Sequence, residues 1–148
     1  KQSKNLWKLR ESISEAQKHE GDSLKHDISI PINRVDDFIQ EASIKVSKKI
    51  PEARIIIFGH IGDGNIHFNI SQPIKFNEGQ LLNKSEEISN LVFDTVYNMS
   101  GSFSAEHGIG LLKKSLLRKY NRKEELKLMK KIKKLIDPKS ILNPKKIF

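Results

Sequence analysis

A pair of histidines and an adjacent acid and histidine, each set among glycines, are the residues best suited to chemistry. The histidines lie in GHIGDGNIH at 59–67 and the second pair in EHGIG at 106–110. Asp63-Gly64 is a strong two-residue hairpin signal. The surrounding ARIIIFGHIGDGNIHFNIS, 53–71, therefore reads as two antiparallel strands. A two-residue loop would set Gly62 against Asn65, Ile61 against Ile66 and His60 against His67, with opposed Cβ atoms about 4.5–5.5 Å apart. Alternation along the strands then puts Phe58, His60, Asn65, His67 and Asn69 on one face. Ile55, Ile57, Ile61, Ile66, Phe68 and Ile70 fall on the other, which belongs against helices.

Two imidazoles on one surface can hold a divalent cation through their lone pairs, at about 2.0–2.1 Å for zinc. A third donor is needed, and Glu106 and His107 are the natural candidates. Adjacent residues of those types can give one carboxylate to a metal and one imidazole to proton transfer. Blander readings stand beside these. Cross-strand histidines can simply bond each other or water, and Gly108 and Gly110 can start a helix from a tight turn. Gly59, Gly62 and Gly64 cluster as in a phosphate cradle, but such loops lead from a strand into a helix, not into another strand. No elbow motif for a Ser-His-Asp triad is present.

The elements that must position these residues are legible from periodicity. Leu6, Leu9, Ile13 and Ala16 mark an amphipathic first helix. HDISIPI alternates as a strand ending near Pro31. Asn33 can cap a second helix that carries Val35, Phe38, Ile39, Ala42 and Val46 on one face and breaks at Pro51. After the hairpin, Leu82, Ile88, Leu91, Val92, Val96 and Met99 predict a long helix closed by Gly101. SFSAEHGIG reads as a short strand entering a glycine-rich loop. Two lysine-rich helices, near 110–119 and 122–136, and an extended end shaped by Pro138 and Pro144 complete the chain. The order α-β-α-β-β-α-β-α-α predicts one α+β domain, an antiparallel sheet with helices mainly on one side.

Composition narrows the setting. At 148 residues, 36% hydrophobic and 30% charged, the chain is long enough to bury a core and too apolar for global disorder. No apolar run approaches the roughly 20 residues that cross a bilayer. The polar start is unlike a signal peptide, and the only methionines are Met99 and Met129, so the expectation is a piece of a longer protein, with a cleaved precursor as the alternative. Cysteine is absent, which excludes disulfides and thiol chemistry and fits a reducing, cytoplasmic setting. The net charge of +9 asks for nucleic acid, an anionic membrane or an acidic small molecule. Only Arg10, Arg34, Arg54, Arg118 and Arg122 among the cations are arginines, and lysines along helices are more often a solvated face than a phosphate reader.

GHIGDGNIH at 59–67 together with SAEHGIGLLK at 104–113 resembles the paired motif of the FAD-linked oxidase C-terminal domain. That domain occurs in D-lactate dehydrogenases, D-2-hydroxyglutarate dehydrogenases and glycolate oxidase subunits. LWKLRESISEA at 6–16, KHDISIPI at 25–32 and DPKSILNP at 137–144 resemble its opening helix, first strand and closing motif. Lys145 departs from the glycine usual after that Asn-Pro.

The resemblance implies a ferredoxin-like α+β fold for 1–148, with the flavin-binding domain elsewhere. It implies His60, His67 and Glu106 as metal ligands and His107 as the catalytic base. Arg10, Ser14 and Lys25 would hold substrate carboxylates, with Asn69 in the same site. It further implies FAD on the other domain, a divalent metal (zinc by ligand type, otherwise manganese or iron) and a small D-2-hydroxy acid as substrate. Without a flavin motif such as GxGxxG, the chain alone is expected to catalyse no oxidation. The expected partners are that substrate and the N-terminal FAD-binding domain, not nucleic acid. A homodimer and peripheral contact with the inner face of a membrane are both compatible. The competing readings are a metal-dependent hydrolase built on the same three ligands and a basic nucleic-acid-binding module.

Overall fold

The structure, a computed structural model, describes residues 2–19, 21–74, 77 and 79–148. The described elements run α1 (Gln2–Lys18), β1 (Ser23–Ser29), α2 (Val35–Lys49), β2 (Arg54–His60), β3 (Asn65–Ser71), α3 (Ser85–Asn98), α4 (Lys114–Tyr120) and α5 (Lys123–Ile136). The three strands form one antiparallel sheet in the order β1-β3-β2. Both outer strands oppose β3, so β1 and β2 run parallel and need the long crossover that α2 supplies. The fold is α+β, as the sequence predicts.

Where the β-α-β-β-α-β ferredoxin-like pattern has a fourth strand, a single bridge forms among the described residues, between Ser29 and Ser102. The short strand expected in SFSAEHGIG is therefore reduced to a single paired residue. Gly101 makes the approach possible, since a Cβ there would lie 2.4 Å from the Ser29 carbonyl oxygen. The left-handed residue that ends α3 is Ser100 (φ 60°), not Gly101. Gly101 earns its place by backbone proximity.

One sheet face carries Leu24, Ile28, Ile66, Phe68 and Ile70, buried under Phe38, Ala42 and Val46 of α2 and Ile88, Val92 and Val96 of α3. Spacings of three and four on each helix generate that apolar stripe. Phe38 meets Phe68 edge-on at 5.5 Å, an arrangement favoured by the ring quadrupole. Two details differ from expectation. Asn33 lies in a 3-10 turn (Ile32–Arg34), and no side chain caps α2; Asp36 and Asp37 supply negative charge to its first turn instead. Leu82 is in a second 3-10 turn and 48% exposed, while Leu81 is the buried neighbour.

The opposite sheet face is polar. It meets α1 through Gln17, which donates to Ser71 Oγ at 3.3 Å and accepts from Asn69 Nδ2 at 2.8 Å. The catalytic candidates lie on this face.

Candidate metal and substrate site

The hairpin that carries the histidines closes differently from the two-residue turn. Its loop spans four residues, 61–64, and the register sets His60 against Asn65 and Phe58 against His67. The expected His60–His67 opposition is thus wrong by two residues. The Asp63 carboxylate accepts the Asn65 N–H at 3.0 Å, a local bond that competes with a tighter turn. Gly64 takes φ 73°, and its carbonyl accepts the Ile30 N–H at 2.9 Å, which ties the loop to the exit of β1. A slip of one residue would have sent every side chain to the wrong face; a slip of two preserves the faces. His60, Asn65, His67 and Asn69 still share the polar face, and Ile61, expected in the core, sits in the loop at 69% exposure.

The two-residue offset leaves room for Glu106 between the imidazoles. His60 Nδ1 lies 3.2 Å from Glu106 Oε1, and His67 Nε2 lies 3.7 Å from Glu106 Oε2. Asn65 Nδ2 donates to Glu106 as well, and Asn65 Oδ1 is buried without a partner. His67 is half-buried, and His107 stacks over it at 6.0 Å between centroids. Burial holds the His67 pKa below 6.5; Glu106 and Asp27 act against that, and His107 and Arg10 add to it.

Asp27 was not singled out from the sequence. It opposes His67 in the β1–β3 register and is 4% exposed. Its carboxylate accepts backbone N–H groups of Ala105, Glu106 and His107 at 3.2, 3.1 and 2.9 Å. Burial alone would raise its pKa. The bonds from His107 and Glu106 and the charges of His107 and Lys113 outweigh burial and hold it below 3.8. Asp27, His67 and Glu106 offer donor atoms all within 4.8 Å of one another. One signal pointed to Asp27: an acid in the middle of an alternating strand, where aspartate is disfavoured.

The substrate candidates sit around this centre. A cavity of about 320 Å³ is lined by Ser14, Lys25, Asn69, His67, Glu106 and His107, among others. It gathers six of the eight residues inferred from the resemblance. Lys25 and Ser14 are exposed, and the Asn69 amide is engaged with Gln17. Arg10 stands over the Phe58 ring at 4.9 Å, beside a shallower cavity of about 550 Å³ that it shares with Trp7 and His60. The larger cavity lacks most of the donors, so the smaller one is the better candidate. His60 joins them, since it lines one cavity and touches Glu106 of the other.

Together the fold and site define an α+β domain that gathers His67, His107, Asp27, Glu106 and Lys25 around one pocket. The chain belongs to the family described as FAD linked oxidases, C-terminal domain, which it matches over residues 1–147. It is 42% identical to a D-2-hydroxyglutarate dehydrogenase of Stutzerimonas stutzeri (strain A1501) over 147 residues, 99% of this chain and 32% of that protein. It is 39% identical to the mitochondrial D-2-hydroxyglutarate dehydrogenase of Danio rerio over 143 residues, 97% of this chain and 26% of the relative. A probable mitochondrial D-2-hydroxyglutarate dehydrogenase of Oryza sativa subsp. japonica is 38% identical over 146 residues, 99% of this chain and 25% of its own length. The chain thus spans a third or less of each of these relatives.

Proposed function

We propose that residues 1–148 are the C-terminal, substrate-holding domain of a flavin-dependent D-2-hydroxyacid dehydrogenase, with D-2-hydroxyglutarate as the favoured substrate. The observation that carries this reading is Glu106, with an imidazole facing each carboxylate oxygen, in a pocket shared with Lys25 and His107. The names of the relatives support the substrate.

The donor set fits a divalent cation: Glu106 has an imidazole facing each oxygen, and it forms a compact donor group with His67 and Asp27, all within 4.8 Å. His60, His67 and Glu106 would hold it, with zinc preferred and manganese or iron as alternatives. Bound there, the cation would supply Lewis-acid polarisation of the substrate hydroxyl, and FAD held by another domain would supply the hydride acceptor. His107, exposed at the pocket mouth, takes the hydroxyl proton. A dicarboxylate needs a second cationic anchor, and Arg10 and Lys25 are a planar fork and a point charge suited to that work. Ser14, one turn after Arg10, adds a hydroxyl donor, and Asn69 forms part of the pocket wall.

In the intact protein, Lys25→Met should raise KM for D-2-hydroxyglutarate roughly 10–100-fold, as expected for losing a charged hydrogen bond of about 1.5–3 kcal/mol. Turnover at saturation should change much less. Steady-state kinetics with D-2-hydroxyglutarate and D-lactate decide it: an unaltered KM for the dicarboxylate removes the substrate assignment. A metal-dependent hydrolase would act with no flavin in the protein.

A further inference from the structure

We propose that Asp27 is a positioning residue. By this inference its buried carboxylate is the anchor on which the Glu106–His107 turn folds, and it fixes the orientation of the His67 ring without itself binding the cation. The inference rests on the reading of His60, His67 and Glu106 as metal ligands. It adds a residue from a third strand that acts on two of the site's other members.

The argument begins with the turn, which belongs to no helix or strand and exposes Glu106 and His107. Three successive N–H groups in it, from Ala105, Glu106 and His107, converge on Asp27 Oδ2. Consecutive amides aimed at one oxygen form a concave anion nest, and bonds to an ionised acceptor are about twice as strong as neutral ones. The strand therefore supplies from within the fold the anion that the turn's backbone is shaped to hold. Lys113, just beyond the turn, closes the arrangement. Its ammonium donates to the Asp27 and Phe103 carbonyls at 3.3 and 2.9 Å and lies 3.9 Å from Asp27 Oδ2.

The remaining oxygen, Oδ1, faces His67 Nδ1 at 3.8 Å, whereas His67 Nε2 faces Glu106 at 3.7 Å. One imidazole thus presents one nitrogen to each carboxylate. A carboxylate on the far side of a ligating histidine orients the ring and favours the tautomer with its free lone pair toward the metal. Oδ2 accepts three backbone amides, and Oδ1 accepts a longer bond from the Glu106 N–H at 3.3 Å while facing the Nδ1 side of the ring. Asp27 lies within 4.8 Å of the His67 and Glu106 donor atoms, and by this inference both of its oxygens serve the turn and the ring, not the cation.

Hydrogen–deuterium exchange and cobalt(II) titration of the intact protein test this. In the metal-free wild type, amides 105–107 should exchange at least about 100-fold more slowly than an open loop; free exchange there overturns the proposal without any variant. Asp27→Asn should speed exchange of those amides at least tenfold and weaken cobalt binding about 10–100-fold. The visible spectrum of the bound cobalt and the exchange of β1–β3 should be kept. Unchanged loop exchange with unchanged affinity overturns it. So does an altered cobalt spectrum with the loop still protected, because Asp27 would then be a ligand. Glu106→Gln should abolish tight cobalt binding and leave amides 105–107 protected. If that variant binds cobalt normally, the metal reading fails, and the loop-exchange measurements still decide the anchoring role.

Discussion

His26 and Asp27 are consecutive residues that face opposite sides of one strand, and their environments differ accordingly. Asp27 meets a nest of amides, whereas His26 is 2% exposed in the core. Its Nδ1–H donates to the Phe68 carbonyl at 2.9 Å, its Nε2 accepts from the Ser89 hydroxyl at 3.1 Å, and its ring packs edge-on against Phe93. That geometry satisfies a neutral imidazole completely, and no carboxylate stands at either nitrogen to offset the charge of a second proton in the core. Burial, assisted by the Lys113 charge and opposed by the Phe68 bond, lowers its pKa from 6.5 to about 4. The sign follows from the unfolded chain, which takes up the proton first as pH falls below 6.5. Stability is therefore full above that pH, declines toward pH 4 and changes no further below it from this group. The drop corresponds to about 3 kcal/mol at roughly 1.4 kcal/mol per pKa unit. Asp27, Asp94 and Asp137 have pKa values lowered from 3.8, so their contributions disappear only below about pH 4. His67, also held below 6.5, shares the His26 range, and a His26 variant separates the two. Urea unfolding at pH 7, 5.5 and 4.5 should show the loss in the wild type and a clearly smaller one in His26→Gln. Parallel curves would mean that another group titrates.

At the scale of elements, the hairpin shows which features the sequence specified and which it hid. Strand parity was legible because alternating isoleucines and polar residues admit one buried face, and the site residues were assigned to their face correctly. Register was hidden because it depends on Asp63 accepting the Asn65 amide and on Gly64 reaching Ile30, the second a contact between segments distant in sequence. Asp27 was hidden for a similar reason, since its partners lie nearly eighty residues away. The core faces of α2 and α3 were legible from their spacing. The fourth strand shrank to a bridge because residues beyond Ser102 turn toward Asp27 instead of pairing along β1. The importance of the loop geometry can be measured with two neighbouring glycines. A Cβ on Gly64 would meet the Ile30 carbonyl oxygen at 2.0 Å in a left-handed backbone, whereas a Cβ on Gly62 would meet nothing within 4 Å. Gly64→Ala should cost about 1–3 kcal/mol or more, and Gly62→Ala should stay within about 0.5 kcal/mol of wild type. Equal denaturation midpoints for the two variants would remove the proposed tie between the hairpin loop and β1.

For the molecule as a whole, the question is how much of the chemistry this chain can perform alone. Its hydrophobic core is continuous across the sheet and α2–α3, so the polar face has a firm support. Yet Leu6, Trp7 and Leu9 of α1 are all more than 60% exposed, and α5 turns Leu128, Leu135 and Ile136 to solvent. No described helix is long and apolar enough to cross a membrane. The groups assigned above are proposed to bind a cation, grip carboxylates and accept a proton, and no side chain among them can accept a hydride. The sequence has no GxGxxG fingerprint, and the curated relatives devote two thirds or more of their length to segments this chain does not match. If the domain assignment is right, binding and oxidation must separate when residues 1–148 are produced by themselves. Cobalt titration should still saturate near one ion per chain. Reduction of an artificial electron-acceptor dye with D-2-hydroxyglutarate should stay at the rate without protein, at any cobalt or zinc concentration. The titration also reports folding, because His60, His67 and Glu106 converge only across folded β2, β3 and the 104–110 turn. Dye reduction above background by a chain that binds the metal would place the hydride acceptor within these residues and remove the division of labour proposed here.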